Sequence, residues 1–445
     1  MKERLRASWA LGMVLVLCMI TVFGSPESTY AATVDIKADS AILVDADSGK
    51  ILYEKDSDLT LPPASMAKMM TEYLVLEAIN SGEISWEDTT QISNYPYSIS
   101  ANSTFSGVGL TQNQDYTVRE LYEAMAINSD NGTSIALAEL VAGSEGEFVK
   151  RMNEKAEELG MPDYQFVNAT GLENKDLSGN HPEGTDPDGT NLLSARSAAI
   201  LAYHLVNDFP EALEISSMTS FTFGGKEINN YNWMLPGMPG YLADFGYEGL
   251  DGLKTGFTDL AGFCFTGTAE RNGQRLISVV MKTNSEEARF EETKKLLDYG
   301  FEQFEQKELF PAGHQVDQNS TVKVSKGKES SVELETAAPI TAPVKKGEEK
   351  QYEVKVNLSK EALDKSGNLE APFEKGEKVG TAELVYNGEQ SYDDLQTGEP
   401  LRTEVDVVTT SGVEKANWFM LTIGAVGDFF GDIFNNAVNM VNGWF

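Results

Sequence analysis

The pattern of apolar and polar residues divides the chain into segments of different character. From residue 33 to about 305, short apolar runs alternate with longer stretches typical of helices. A hairpin is predicted at 41–44 and 51–53, around a turn of Asp, Ser and Gly, and an apolar strand at 276–281. Helices are predicted over residues 66–80, 118–127, 132–142, 147–159, 194–207 and 286–304. Strands near both ends, with helices between them, predict one sheet covered by helices.

The pattern changes near residue 310. Up to about residue 408, polar and apolar residues alternate, and glycine and proline fall between the alternating runs. Alternation with a period of two is typical of strands that bury one face. The segment 310–408 is therefore predicted to be a small all-β domain. It carries no group of residues suited to catalysis, which favours a spacer or protein-contact role.

The final segment, 413–445, has a helical period instead. Apolar residues recur every three or four positions, with Asp and Asn on the opposite side, which predicts an amphipathic helix. Because Asp428 and Asp432 make a spanning helix costly, we expect the helix to lie in the membrane interface, held by its Trp and Phe side chains. The alternative is a helix that packs on its own protein or on a second copy.

Residues 1–31 are predicted to be a secretory signal peptide. A positively charged start precedes an apolar run at 9–23, and cleavage is expected after Ala31. The protein would then be exported; the alternative is an uncleaved N-terminal anchor. Cleavage leaves Cys264 as the one cysteine, so no intramolecular disulfide can form, and its apolar neighbours predict a buried thiol.

Charge and composition narrow the choice of partners. Among 445 residues, 69 are acidic and 35 basic, giving a formal net charge of −34. This argues against nucleic-acid binding and against electrostatic adhesion to anionic lipid, and it suits a soluble secreted protein. The three histidines stand in no hydrolase motif, and the sequence has no Cys/His cluster and no phosphate-binding glycine loop. No metal or other cofactor is therefore expected.

The first motif with catalytic potential is Ser65-Met66-Ala67-Lys68. On a helix, positions i and i+3 share a face, so Lys68 can reach the Ser65 hydroxyl. A serine is a weak nucleophile until a base takes its proton. A lysine can be that base where burial or nearby cations lower its pKa. Taken alone, the motif is better explained as the start of a surface helix.

The second motif is Ser129-Asp130-Asn131, at the end of a predicted helix. The Ser129 hydroxyl can relay a proton, and the Asn131 amide can both donate to and accept from a peptide bond. Ser, Asp and Asn are also the usual residues of turns and helix caps. By itself the motif is therefore explained by a cap.

The third motif is Lys254-Thr255-Gly256. Lysine supplies positive potential, threonine a hydroxyl, and glycine lets a substrate approach the backbone. The alternative is an ordinary turn of an edge strand. Three such motifs in this order, after a signal peptide, are the set found in class A β-lactamases and penicillin-binding proteins.

From about residue 33 to its C-terminus, the chain resembles low-molecular-mass penicillin-binding proteins of the D-alanyl-D-alanine carboxypeptidase type, which are serine peptidases. Besides the motifs, the resemblance rests on residues 62–71, 251–258, 261–264 and 275–281. It implies an α+β protein whose catalytic domain (33–305) is penicillin-binding/serine β-lactamase-like, with helices around an antiparallel sheet. A β-rich C-terminal domain (310–408) and an amphipathic anchor helix (413–445) would follow. The anchor would hold the exported protein at the outer face of the cytoplasmic membrane.

The resemblance also implies an activity and a role for each motif residue. Relatives remove the terminal D-alanine from peptidoglycan pentapeptide stems through an acyl-enzyme, and β-lactam antibiotics inhibit them covalently. Stem peptides, β-lactams and the membrane surface are thus the expected partners. The roles implied are nucleophile for Ser65, general base for Lys68, proton shuttle for Ser129 with Lys254, substrate backbone binding for Asn131, oxyanion stabilisation by the N–H groups of Ser65 and Phe257, and binding of the terminal carboxylate beside Gly256 by Thr255 and Arg289.

Three alternatives accompany this interpretation. A class A β-lactamase needs a glutamate-bearing loop for deacylation; Glu173 and Glu183 are available, but neither stands in a convincing setting, and the β domain and tail argue against this class. An endopeptidase on cross-linked stems keeps the mechanism and changes the bond. A non-enzymatic wall-binding protein is disfavoured because all three motifs are intact. Arg289 is also compatible with an ordinary surface helix.

Overall fold

The described part of the chain contains nineteen strands, arranged in six sheets, and eight α-helices. The structure, a computed structural model, describes residues 34–315 and 320–417; the predicted signal peptide (1–31) and residues 418–445 of the predicted anchor helix lie outside the described residues. The strands are β1 Ser40–Asp45, β2 Ile51–Lys55, β3 Thr89–Gln91, β4 Asp115–Thr117, β5 Tyr164–Gln165, β6 Leu192–Leu193, β7 Ser220–Phe223, β8 Lys226–Asn229, β9 Leu250–Thr258, β10 Gly262–Arg271, β11 Gln274–Thr283, β12 Phe304–Phe310, β13 Thr321–Ser325, β14 Ser331–Thr336, β15 Ile340–Lys345, β16 Tyr352–Leu358, β17 Leu369–Glu370, β18 Lys378–Tyr386 and β19 Thr403–Thr409. The α-helices are α1 Lys68–Asn80, α2 Asn94–Ser100, α3 Val118–Asn128, α4 Asn131–Ala142, α5 Glu145–Glu158, α6 Ala195–Asp208, α7 Glu211–Ser216 and α8 Glu286–Gln303.

The first sheet has five antiparallel strands in the order β2-β1-β11-β10-β9. Strand β1 is buried along its whole length because helices cover both faces of the sheet. Ile42 and Val44 join the core that includes α6, whereas Leu43 approaches Gly300 of α8. The predicted hairpin, the predicted strand at 276–281 and the helix-covered antiparallel sheet are thus confirmed. Cys264 is buried on β10, as predicted.

The helix predicted over 66–80 is present, but it begins with a different geometry. Residues Ala64–Ala67 form a 3₁₀ turn, and α1 continues from Lys68 to Asn80. Ala64 has a φ of +49°, which residues with a side chain adopt rarely. Nearly every residue of α1 is buried, as expected of a helix in the interior of a domain. The 3₁₀ turn places Ser65 at the entrance to this central helix.

The C-terminal part forms the predicted β domain. Its sheet has the order β16-β18-β19-β14-β13-β17, and β12 pairs with β15. Val332, Leu334 and Ile340 belong to a separate apolar core, which also contains Val413. The predicted start of the amphipathic helix at Val413 is therefore wrong: Val413 and Lys415 form β-bridges with Phe373 and Gly327, and Ala416 N–H donates to the Lys326 carbonyl. Residues from Val413 to Ala416 pack in the β domain because Val413 and Ala416 are buried there. No helix within 34–315 or 320–417 is long and apolar enough to cross a membrane.

The β domain contributes directly to the core next to the active site. Leu395, in the connection between β18 and β19, is fully buried in the same apolar cluster as Ile42. On the other side, Lys50 donates to the Pro343 carbonyl over 2.7 Å and to the Tyr352 hydroxyl over 2.9 Å. These contacts join the two segments into a single unit, so the β domain does more than extend the chain.

Candidate active site

The Ser65 hydroxyl and the Lys68 amine of the first motif lie next to each other at the start of α1. In a 3₁₀ turn the side chains at i and i+3 eclipse each other, and Lys68 Nζ lies within hydrogen-bond distance of Ser65 Oγ, at 3.0 Å. Ser65 is only half-buried, whereas Lys68 is fully buried. The serine hydroxyl is therefore accessible from outside while its neighbouring amine is shielded from water.

The surroundings of Lys68 suit a base. Its Nζ donates to the side-chain oxygen of Asn131 over 2.8 Å and to the backbone carbonyl of Thr170 over 2.6 Å. Burial, and then the positive charge of Lys254, lower the pKa of Lys68 well below its usual value. An amine whose pKa is depressed in this way can take a proton from a hydroxyl near neutral pH.

The second motif forms the connection between α3 and α4. Ser129 ends α3 with a φ of +60°, and Asp130 caps α4 by accepting from the Thr133 N–H over 2.6 Å. The Ser129 Oγ is buried and has no hydrogen-bond partner among the described residues. Asn131 accepts from Lys68 and donates to the Ser106 carbonyl over 3.1 Å. Since an unpartnered buried hydroxyl is costly, Ser129 suits a site in which a substrate supplies the partner.

The third motif lies on β9, the edge strand of the five-stranded sheet. Lys254 is buried, and its Nζ donates to the Thr255 carbonyl over 3.2 Å. Burial lowers the pKa of Lys254 to about 8, with a smaller contribution from Arg289 and an opposing one from Glu72. A side chain at Gly256 would place its Cβ 2.4 Å from the Pro63 carbonyl oxygen. The glycine therefore lets β9 pack against the Ser65 turn, a reason different from the predicted one of substrate approach.

Arg289 and Phe257 differ in exposure. Arg289 is buried rather than on the surface of α8, and it donates to Glu286 Oε1 over 2.7 Å and to the Gly256 carbonyl over 3.4 Å. Its Nε has no hydrogen-bond partner in the described part of the chain. Burial lowers its pKa to about 10, which leaves it charged at neutral pH. Phe257 is 48% exposed, and its ring stacks on Phe263 with the centroids 4.3 Å apart.

One cleft of about 720 Å³ brings the three motifs together. Seven of the nine predicted site residues line it: Ser65, Ser129, Asn131, Thr255, Gly256, Phe257 and Arg289. Lys68 and Lys254 are buried beside this lining. The cleft thus offers a hydroxyl with a buried base, an unpartnered hydroxyl and a buried cation to one ligand, which is an arrangement suited to acyl transfer to serine.

Comparison with known proteins agrees with this geometry. Residues 27–285 match the family model described as D-alanyl-D-alanine carboxypeptidase. The chain belongs to this family of serine peptidases. Residues 304–415 match the model of the C-terminal domain of penicillin-binding protein 5.

Similar proteins cover nearly the whole chain. The D-alanyl-D-alanine carboxypeptidase DacF of Bacillus subtilis is 34% identical over 96% of this chain and 99% of its own length. The crystal structure of PBP3 from Streptococcus pneumoniae is 36% identical, with a TM-score of 0.70 over 85% of this chain and 100% of that one. Penicillin-binding protein D2 of Listeria monocytogenes, solved in a cefotaxime-bound form, is 33% identical, with a TM-score of 0.52 over 60% of this chain and 99% of that one.

Several residues of the site are absent from the sequence-based prediction. The Thr170 carbonyl and Gly171 lie on a loop that Asn168 organises, since its side-chain oxygen accepts from the Thr170 and Gly171 N–H groups. Such side-chain-to-backbone turns follow from local Asn chemistry, so the turn itself was predictable. Its contact with Lys68 was not, because 102 positions separate the two partners. Glu72, buried one turn beyond Lys68, was also missed.

Replacing Gly171 with alanine is expected to slow acylation by a fluorescent penicillin about 100-fold, the order of loss that misplacement by about 1 Å can cause. Gly171 has a φ of +85°, and an added Cβ would lie 1.9 Å from the Ala64 carbonyl oxygen and 3.0 Å from the Ser65 nitrogen. The backbone carrying the nucleophile must therefore shift. The second-order acylation rate constant is the measurement, with circular dichroism to verify folding.

Gly184→Ala is the matched control. Gly184 has a nearly identical φ of +86°, but an added Cβ meets nothing within 4 Å. It therefore incurs similar backbone strain without displacing Ser65, and its acylation rate should stay near that of the unmodified protein. Equal acylation rates in the two variants would contradict the proposed role of Gly171.

Proposed function

We propose that this protein removes the terminal D-alanine from peptidoglycan pentapeptide stems through an acyl-enzyme on Ser65, as a serine-type D-alanyl-D-alanine carboxypeptidase. The observation that carries the proposal is the 3.0 Å contact between Ser65 Oγ and the buried Lys68 Nζ at the edge of the cleft. The bond to be cleaved is inferred from the family, which is described as D-alanyl-D-alanine carboxypeptidase. The mechanism of cleavage is inferred from the geometry of the site.

The first half of the proposed reaction is acylation. Neutral Lys68 takes the proton of Ser65 as Oγ bonds to the carbonyl carbon between the two D-alanines. The carbon–nitrogen bond then breaks, and the leaving amine receives a proton through Ser129, with Lys254 supporting that transfer. Backbone N–H groups of Ser65 and Phe257 would stabilise the oxyanion, a contribution of roughly 3 kcal/mol per donor.

Deacylation completes the reaction. Water loses a proton to the regenerated base and attacks the ester carbonyl, and the ester bond to Ser65 breaks. The shortened stem leaves as a carboxylic acid and Ser65 regains its proton, so the enzyme returns to its starting state. No cofactor takes part in this scheme.

Arg289 and Thr255 are the proposed ligands of the terminal carboxylate. The guanidinium is buried against the cleft, and Nε remains without a hydrogen-bond partner among the described residues. A buried cation with a free donor suits a carboxylate. Asn131, held by Lys68 and the Ser106 carbonyl, is oriented for a contact with the substrate backbone.

The test is release of free D-alanine from an N-acylated pentapeptide that ends in D-Ala-D-Ala. The same peptide with a C-terminal amide should be a poor substrate, because Arg289 then has no carboxylate to bind. Cleavage only of cross-linked muropeptides would support the endopeptidase alternative. Rapid multiple turnover of penicillin, in place of a long-lived adduct, would support the β-lactamase alternative.

For the location of the enzyme, we further propose export and attachment of residues 418–445 to the outer face of the cytoplasmic membrane. Support comes from the amphipathic pattern of the tail and from the signal-like N-terminus. Because Val413 to Ala416 pack in the β domain, removal of 418–445 leaves the described fold intact. The shortened protein is expected to leave the membrane fraction with D-alanine release unchanged. Continued sedimentation with membranes would contradict the anchor.

A further inference from the structure

A buried carboxyl that the proposed mechanism does not use lies next to the active site. Glu72 follows Lys68 by one turn of α1 and is only 3% exposed. Its Oε1 accepts no hydrogen bond from any described residue. An uncommitted buried carboxyl is costly for stability, which suggests that another property of the site requires it.

The groups that face Glu72 come from three elements. Lys68 lies on α1, Lys254 on β9 and Tyr122 on α3, and all three influence its ionisation. Neither the Tyr122 hydroxyl nor Glu72 Oε1 has a hydrogen-bond partner within the described part of the chain. Glu72 therefore interacts with both lysines of the site without a direct ion pair that would commit it to one of them.

Asp130, the other buried carboxyl near Lys68, is committed elsewhere. It accepts from the Thr133 N–H over 2.6 Å, from the Val108 N–H over 2.6 Å and from the Ser100 hydroxyl over 2.8 Å. These bonds cap α4 and hold the loop in front of it. Of the two carboxyls that act on Lys68, Glu72 is thus the one with an uncommitted buried oxygen.

We propose that Glu72 is a positioning residue for the acylation step, which balances the charge shared by Lys68 and Lys254 without touching the substrate. When Ser65 transfers its proton, the O–H bond breaks, an N–H bond forms and Lys68 becomes an ammonium. That ammonium appears beside Lys254, which is already buried and cationic in the proposed mechanism. An ionised Glu72 offsets the repulsion between them, since a nearby anion favours the charged form of an amine.

The proposal, which rests on the proposed function, predicts a shift in pH dependence. Acylation needs neutral Lys68, so its rate rises as the pH passes the pKa of that amine. Removing the neighbouring anion disfavours both ammonium groups and lowers both pKa values. The acid limb of the acylation profile reports the loss of a proton from Lys68, and the alkaline limb reports the loss of a proton from Lys254. In Glu72→Gln both limbs should therefore move to lower pH, by about one pH unit. A merely structural role would lower the rate at every pH and leave the limbs in place.

The measurement is the second-order rate constant of acylation by a fluorescent penicillin across the pH range, on the full protein. Glu72→Asp keeps the charge and should restore the limbs toward their original positions. Glu77→Gln is the matched control, because Glu77 lies on the same helix but its side chain is 42% exposed and pairs with Lys155, which does not belong to the site. The profile of this variant should equal that of the unmodified protein. A folded Glu72→Gln protein whose profile superimposes on the unmodified one would overturn the proposal.

Folding of the variant can be anticipated and checked. Burial raises the pKa of Glu72 to about 7, so the carboxyl contributes less stability as the pH rises from its unfolded-state pKa through 7. The glutamine amide does not ionise, so the variant does not lose stability in this way. The Tm of Glu72→Gln minus the Tm of the unmodified protein should therefore increase as the pH rises from the unfolded-state pKa through 7. Should the variant not fold, infrared difference spectra of the unmodified protein provide the test. The proposal needs an ionised Glu72 during acylation, so the band of a protonated carboxyl without hydrogen bonds should be absent above neutral pH, and its persistence there would refute the proposal.

Failure of this inference is distinguishable from failure of the proposed function. If the unmodified protein forms no adduct with penicillin at any pH, the Ser65 mechanism itself is wrong. If it forms the adduct and only the Glu72→Gln profile fails to move, the mechanism stands and the role of Glu72 is refuted.

Discussion

Replacing Ser65 with alanine is expected to lower D-alanine release about 10⁶-fold and to abolish the covalent adduct with penicillin. The Lys68 amine reaches three oxygen atoms among the described residues, and the Ser65 hydroxyl is the only one that can serve as a nucleophile; the others belong to the Asn131 amide and the Thr170 backbone carbonyl. Among the described residues, no second hydroxyl is therefore hydrogen-bonded to this amine. Intact-mass measurement after penicillin treatment and a D-alanine assay check the two effects separately.

Ser98→Ala is a suitable control for this variant. Ser98 is an exposed serine whose hydroxyl donates to the nearby Tyr95 carbonyl, away from the three motifs, and its loss should leave the adduct and D-alanine release unchanged. An adduct of the expected mass on the Ser65→Ala protein would show that a different residue is the nucleophile. The assignment of the first motif would then be wrong.

Replacing Lys68 with methionine is expected to have the second largest effect, a loss of about 10³- to 10⁴-fold in the acylation rate, at the upper end of general-base contributions. Methionine has a similar length and no proton-accepting amine, and burying it avoids the cost of burying a charge. The variant should therefore fold, but Ser65 loses its base. Lys68→Arg should be similarly inactive, because a guanidinium does not give up its proton.

Lys50→Met tests whether the effect belongs to the site. Lys50 is another buried lysine, and burial lowers its pKa to about 8, but its amine contacts the Pro343 carbonyl and the Tyr352 hydroxyl. Its replacement is expected to change stability and to leave the acylation rate intact. Acylation of Lys68→Met within about tenfold of the unmodified rate would exclude Lys68 as the base, given the usual size of such contributions.

Most of the secondary structure near the site could be predicted from local patterns. The long periodic segments became α3, α4, α5, α6 and α8, because an apolar stripe and end signals specify a helix over a short stretch of chain. The short α2 was missed: Asn94–Ser100 has Pro96 in its first turn and only seven residues, too few for a clear period. The 3₁₀ turn at Ala64–Ala67 was missed as well, since it depends on the close packing of Gly171 and Gly256 against that turn.

The structure brings the nine predicted site residues together, but their burial and hydrogen bonding were not predictable from the sequence. Seven of them line one cleft, and Lys68 and Lys254 lie beside it. The sequence offered no reason to expect a buried Arg289, which was equally compatible with the helix surface, or an unpartnered Ser129. Burial and hydrogen bonding depend on which distant segments pack together, and one sequence does not report that.

The chain's own pattern determined which reactive groups are present, the order of the motifs and the helices and strands that carry them. Those properties depend on residues within a few positions of one another. Only the tertiary structure decided that Lys68 has a depressed pKa, that Gly171 and Gly256 permit the close approach around Ser65, and that Glu72 faces two lysines. The pKa of Lys68 and the surroundings of Glu72 follow from desolvation and Coulomb interactions, and the need for the two glycines follows from steric contact with the Ser65 turn. In each case, groups that are far apart along the chain, as Lys68 and Lys254 are, come together only in the folded protein.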